Sequence, residues 1–534
     1  MKKSLLACLM VATFAFSVYA GGILTNSNQS VQYVRMLSRN ASTQLDAVYF
    51  NPAGVMKLEN GLHFGINNQT IFQTRTITTG AALNRKEFIG DVKAPVFPSA
   101  FAAYKMDKLA FSLGFGPNGG GGSADYKNGL PSFEKQIAAI PASLTSNGIP
   151  TSAYSGNISF SGQSVFWGIQ LNGSYAINDI ISVAAGVRVL LATNTYEGTI
   201  TDIKINPNQP AFGASYNGAG MVFAKNFFTD AATVLTGWST GANSYAAGLQ
   251  QIVSGGGGSV LLINGTNVGL SSTQIAQIQG LLGAAGLTPA QIGAMNISAA
   301  QGALTAASPA FATKAIAMSA NAANTGNKEV DTQQKGTGFT PIIGVNLTPV
   351  ENLNIGLKYE FKTTLGLTNK TKTDDTGMFP DGVKSNSDVP AILSAGIDYK
   401  FTKKFSSQIS YINYFDKGVN WGNNIYGQKR TIDHNLWEIA IGFQYNISDK
   451  FAVSIGGLRS TTGVSEQYQS DFSYSNSSLT GGFGFQWKLS EKLILDAGML
   501  YTTYDDFDKS FGTYSETYDK KNVVYAVGLS YSIF

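Results

Sequence analysis

The chain has a single cysteine, Cys8, and it falls within the first twenty residues. Lys2 and Lys3 precede an apolar run from Leu5 to Val18, and "VYA" supplies small residues ahead of a cut after Ala20. That is the form of a secretory signal peptide over residues 1–20, leaving Gly21 as the first mature residue. "LLAC" has the look of a lipoprotein box, but too few residues precede Cys8 for a charged region followed by an apolar core. With Cys8 removed, disulfides and thiol catalysis are both excluded in the oxidising compartment that the signal implies.

Charge is also scarce, at 13% of residues, and cutting away Lys2 and Lys3 lowers the formal net charge from +4 to +2. Nothing in that balance points to a nucleic-acid partner. Histidine is limited to His63 and His434, and neither sits in a recognisable serine or acid motif. Hydrolytic chemistry therefore has no base, and the chain is read as a non-enzyme with no cofactor. Asp505, Asp506 and Asp508 form an acidic run, read as a solvated loop rather than a Ca²⁺ or other metal site. After residue 20 no apolar stretch reaches the roughly 18 residues of a spanning helix.

What the chain has is glycine, 60 residues, and aromatics, with 24 Tyr and 32 Phe. It also repeats one phrase. "YNISDKFAVSIGG" is echoed by "YKMDKLAFSLG", "YAINDIISVAAG", "LTPVENLNIGL", "YKFTKKFSSQIS" and "WKLSEKLILDAG". In each, a short polar turn joins two runs that alternate apolar and polar residues, the pattern of strands with unlike faces. Ile181, Val183, Val187, Val189 and Leu191 share one face, and Ser182, Gly186, Arg188 and Asn194 the other. The polar faces carry few charges and much Gly, Ser, Asn and Gln. Tyr399, Phe401, Phe405, Tyr445, Phe451 and Trp487 gather beside the turns, as in an interfacial girdle.

Six turns join twelve strands, and "GLHFGINNQTIFQTRTITT" and the terminal "NVVYAVGLSYSIF" bring the count to an even fourteen. The expected fold is all-β and transmembrane, a closed fourteen-stranded antiparallel outer-membrane barrel over residues 61–534. Short turns mark the periplasmic end, so both termini lie there. Long extracellular loops are expected at about 117–160 and 199–336, with helices starting at Ser272, Thr288 and Ser308 in the second. Phe534 falls on the wrong face for the last strand.

Residues 21–60 do not alternate. Val31, Val34, Leu37, Leu45, Val48, Tyr49 and Phe50 are too apolar for a solvated tail, and the barrel lumen is the nearest place to bury them. The expectation is an N-terminal helical hatch plugging the lumen, ending in a sharp break at Asn51, Pro52, Ala53 and Gly54. Glycine within the alternating pattern at Gly114 and Gly116 permits a strand kink, and Gly119 to Gly122 read equally as loop. Leu130, Phe133, Ile137 and Ile140 recur at helical spacing and give an amphipathic helix that covers the barrel mouth or meets ligand. Arg188, Lys358, Glu360, Asp398, Glu438 and Asp496 are read as lumen charges that balance one another.

"DAVYFNPAG", following the mature start "GGILTNSNQS", resembles the FadL/TodX family of outer-membrane transporters of long-chain fatty acids and other hydrophobic compounds. The resemblance implies a fourteen-strand barrel, a hatch carrying the Asn-Pro-Ala motif, and both termini in the periplasm of a bacterial outer membrane. It implies uptake in which a hydrophobic ligand meets a groove, enters an apolar pocket and leaves through the wall at a kinked strand. On this reading Ile23 and Leu24 occupy the pocket, Gly114 and Gly116 form the lateral opening, and Leu130, Phe133, Ile137 and Ile140 form the groove. Arg188 or Lys358 could instead meet a carboxylate. Partners are the hydrophobic ligand, outer-membrane lipid and the barrel assembly machinery. The competing reading is a surface adhesin that works through its long loops.

Overall fold

The computed structural model describes residues 23–80, 83–424, 427–512 and 514–533; the signal segment and Phe534 lie outside them. Alternation becomes geometry in a single antiparallel sheet. Its strands are β1 (Gly61–Thr79), β2 (Glu87–Met106), β3 (Leu109–Tyr126), β4 (Tyr154–Ala176) and β5 (Ile181–Ile205). Next come β6 (Lys328–Val350), β7 (Leu353–Glu360 continued by Gly366–Asp374) and β8 (Lys384–Asn386 continued by Ile392–Lys400). Then follow β9 (Phe405–Tyr414), β10 (Leu436–Asn446), β11 (Phe451–Thr461) and β12 (Ser478–Lys488). Last are β13 (Leu493–Tyr504 continued by Phe507–Ser510) and β14 (Ser515–Ile533). β14 pairs with β1 from Leu62↔Ile533 to Thr79↔Glu516, which closes the fourteen strands into a barrel.

The outside is apolar. Ile66, Leu113, Leu171, Ile397, Ile441, Ile455 and Val527 are exposed, while Gln69, Arg188, Asn346, Ser410, Glu438 and Asp496 are buried inside. Tyr399, Phe401, Phe405, Tyr445 and Trp487 are exposed beside the short turns, and Tyr399 and Phe401 meet edge to face at 4.8 Å. This is the surface of a membrane-spanning barrel. All six short turns occur where the repeated phrase puts them.

Inside, α1 (Val31–Met36), α2 (Ala47–Phe50) and a 3-10 turn (Pro52–Lys57) are buried, and residues 23–58 touch every strand. Asn28, Gln29, Ala53, Asn51, Ala41 and Asn40 hydrogen-bond to β1, β2, β5, β6, β7 and β8 in turn. Val48 meets β3 at Gly114 and accepts from Gln170 of β4. Ser38 bonds Ser410 of β9, and Arg35 reaches Ser454 of β11 and Asp496 of β13. On β10, β12 and β14 the wall is glycine where α1 comes closest. A Cβ on Gly442, Gly482 or Gly528 would lie 2.4, 2.5 or 2.7 Å from Met36, Val34 or Val31.

By contacts the chain divides into two units, the barrel unit and a second made of residues 135–157 and 200–327. The second is helical. α3 (Pro131–Ser146) enters it, and α4 (Ala224–Ser254), α5 (Ser272–Ala284), α6 (Pro289–Gly293) and α7 (Ile297–Asn324) build it. Ser271 with Gln274 and Thr288 with Gln291 form capping boxes, so α5 and α6 start where the sequence says.

Two expectations fail. The loop segments are shorter than 117–160 and 199–336, because β3 continues to Tyr126, β4 begins at Tyr154, and β5 and β6 reach Ile205 and Lys328. Ser308 starts no helix: α7 begins at Ile297, capped by Asn296, and runs through Pro309. Packing on α4 overrides the lost backbone bond, with Ser239 and Ser308 exchanging hydroxyl-to-carbonyl bonds at 2.8 and 3.0 Å. α4, thirty-one residues long, has no counterpart among the helices expected from the sequence, although Phe227, Phe228, Ala231, Leu235 and Leu249 are buried along it.

Candidate functional site

The barrel wall has a break. β2 and β3 pair from Met106↔Leu109 to Ala100↔Phe115 and again from Lys93↔Ser123, but between these points residues 94–99 and 116–122 share no ladder. Composition explains it. β2 contributes Pro95 and Pro98, which have no N–H to donate. β3 contributes Gly120 and Gly121 at φ +63° and +128°, a left-handed backbone that carries the strand inward. A Cβ on Gly120 would lie 1.9 Å from the Ser164 carbonyl oxygen. The expected kink at Gly114 and Gly116 is thus displaced. Gly114 is still paired with Phe101, Gly116 borders the break, and the run from Gly119 to Gly122 makes the bend.

Buried carbonyls freed from a ladder need donors, and the N-terminal segment provides them. Asn26 Nδ2 donates to the carbonyls of Pro117 (3.0 Å) and Gly120 (2.8 Å), and the Asn26 backbone N–H to that of Asn118 (2.8 Å). Gln29 Nε2 also donates to Pro117 O at 2.9 Å, and Ser99 Oγ on the β2 side to Gln29 O at 2.6 Å. Residues 26–29 stand in for the missing strand.

Just ahead of them, Ile23 and Leu24 are buried in an apolar cluster with Ile412, Trp421, Leu436 and Tyr468. Leu24, Tyr49, Asn118, Phe166, Arg188 and Ile392 line a cavity of about 10 Å³, room for one water at most. Asn118 belongs to the bend and Leu24 to the N-terminal segment, so break, pocket and segment share residues. Asp416 roofs the cluster from the 415–435 loop. It accepts the Leu436 N–H at 3.1 Å on Oδ2, and Oδ1 has no partner among the described residues. Burial pushes its carboxyl up to about 7, against the opposing pull of that N–H.

The Asn51–Gly54 break is tied on three strands. Asn51 Nδ2 donates to Asn346 Oδ1 (2.7 Å) and Ser42 O (3.1 Å), while Ser174 and Ser182 hydroxyls donate to the carbonyls of Pro52 and Ala53. Gly54 leaves room for this, since a Cβ there would sit 2.4 Å from Asn51 Nδ2.

Arg188 and Lys358 are brought together, each 2.6 Å from Glu360 and each over the Tyr49 ring at 4.7 and 4.6 Å. Arg188 also donates twice to Gln170 Oε1, and Lys358 Nζ to Tyr49 O. Arg188 thus makes four hydrogen bonds and Lys358 two polar contacts within the protein. The six lumen charges do not form one network: Asp496 pairs with Arg35, and Glu438 accepts from Tyr414. Sequence reasoning missed Arg430. It is 4% exposed, it lies 5.2 Å over the Tyr468 ring, and Nε and Nη2, one whole edge of its guanidinium, have no partner among the described residues.

A crystal structure of a Pseudomonas aeruginosa FadL homologue superposes on this chain with a TM-score of 0.55 at 12% identity, covering 96% of this chain and 100% of that one. The chain has the FadL fold. The Pseudomonas putida toluene transporter TodX is also similar, at 12% identity and a TM-score of 0.49, with 97% and 99% of the two chains covered. No protein-family model and no curated protein sequence matches.

Within this FadL fold the expected groove residues are largely covered. Leu130 is fully buried, and Phe133 packs edge-on against Phe160 and Phe472 at 5.7 and 5.1 Å. In the second unit Ile137 is buried against Gly156, and Ile140 is half-buried.

Proposed function

We propose that this chain is a FadL/TodX-type transporter, taking up long-chain fatty acids or similar hydrophobic compounds through the outer membrane of a bacterium. The observation that carries the reading is that one peptide, residues 23–29, both fills the apolar pocket and supplies the hydrogen bonds that the broken wall lacks. A ligand that displaces Leu24 draws Asn26 and Gln29 from β3, and the break between β2 and β3 becomes the way out. Residues 21–60 act as the hatch, the short-turn end and both termini face the periplasm, and lipid surrounds the apolar band. The unpaired edge of Arg430 suits a carboxylate, which takes two parallel N–H bonds, so an acidic ligand fits better than a neutral hydrocarbon.

A removable staple tests the exit. A Cβ on Gly116 would lie 3.2 Å from that of Ser99, near the roughly 3.8 Å of disulfides. The Ser99→Cys, Gly116→Cys double variant is expected to stop oleate uptake when oxidised and regain it with reductant. Uptake that continues through the oxidised staple would remove the wall route. For the head group, Arg430→Gln is expected to weaken oleate binding by about 10–100-fold, while methyl oleate binding is unchanged.

A further inference from the structure

Arg75 of β1 and Lys520 of β14 stand directly opposite each other in the ladder, both pointing into the lumen, 1% and 4% exposed. Like charges facing each other across strands repel, and a buried charge is costly unless paired. Lys520 Nζ makes no hydrogen bond or ion pair among the described residues; it lies over the rings of Tyr504 and Tyr474, at 4.6 and 5.2 Å. Arg75 lies over the same Tyr474 ring, at 5.0 Å. No nearby carboxylate bonds Lys520 among the described residues. Glu516 accepts from the Tyr514 and Tyr518 hydroxyls, Asp471 from the backbone N–H groups of Ser132 and Phe472, and Asp519 faces outward beside Lys521.

The same wall carries polar groups that, like Lys520 Nζ, have no partner among the described residues. Gln73 pairs with Asn522 two residues further along the ladder, and Gln73 Nε2 and Oε1, Asn522 Oδ1 and the Tyr504 hydroxyl are all buried with no partner among the described residues. A cation, an amide and a phenol, each buried and each with an unused donor, converge there from three strands.

We propose that Lys520, with Arg75, Gln73 and Tyr504, binds the acidic head of a single-chain amphiphile, as a station separate from Arg430. Its place suggests its use. Arg75 is four residues from Ile71, where the β1–β2 register slips beside the wall break, or about 13 Å along the strand. A head group held at Lys520 leaves its tail within reach of the opening. The station rests on the transport reading for its ligand class, and adds to it a second position, next to the exit.

Native mass spectrometry of the full chain with laurate and with dodecanol, matched in length and differing in charge, tests this. The wild type is expected to carry one more laurate than dodecanol. Lys520→Gln is expected to lose that extra laurate and keep its dodecanol, while Lys520→Arg keeps both; heat-dependent gel mobility checks that each variant folds. Equal counts of the two probes on the wild type, or an extra laurate that survives Lys520→Gln, would overturn the station and leave transport standing. Failure of the wild type to bind either probe would sink both readings.

Discussion

Asp416 places a titratable lock on the roof of the pocket. An ordinary carboxyl titrates near 3.9, and burial raises this one to about 7. Between those values the closed loop holds a proton that the open chain releases, so closure weakens as pH rises from about 4 through 7. Exchange protection of the Leu436 amide, corrected for its intrinsic rate, is expected to fall from pH 5 to pH 8 in the wild type. In Asp416→Asn it should stay level; a level wild-type profile would show that the carboxyl does not control the loop. Single residues were the least legible scale in the sequence. Alternation says that Arg188, Lys358 and Glu360 face the lumen, but not that Glu360 holds both cations, because a partner is chosen by barrel closure. Arg430 lies in a loop where no period marks inside from outside, and only its unpaired edge in the folded chain singles it out.

At the scale of elements, residues 26–29 and the β3 bend are joined by hydrogen bonds that a strand would otherwise make. Asn51→Ala removes two donated bonds at the hatch-to-barrel junction, with an expected cost of about 1–3 kcal/mol, seen as faster proteolysis within residues 23–60 of the folded barrel. Cleavage at the wild-type rate would mean that the junction holds without the asparagine. Gly120→Ala meets both a left-handed backbone and the Ser164 carbonyl, and little heat-modifiable barrel is expected from it. Strands and turns were legible because period two and a repeated polar turn are local signals. The ends of β3 and β5 were not, since strands that run past the apolar band lose the alternation that betrays them. The glycine run looked like a loop for the same reason: its pairing partner is not β2 but residues 26–29, some ninety positions earlier.

For the whole molecule, fold class and strand number could be counted from the sequence, because closure demands an even set and lipid demands unlike faces. The helical unit could not be read in the same way. Between residues 206 and 327 only Lys225, Asp230 and Lys314 are charged, and small residues dominate its long helices. Replacing 206–327 with a short Gly-Ser turn between β5 and β6 is expected to leave oleate uptake within about twofold of wild type. Loss of cell attachment with uptake intact would assign the unit to adhesion. The shared use of residues 23–29 also sets a threshold. Five hydrogen bonds tie this peptide to β3 and β2, worth together about 5 kcal/mol. A guest held at millimolar strength offers only about 4 kcal/mol, so weakly attracted molecules would occupy the doorway without ever turning the latch.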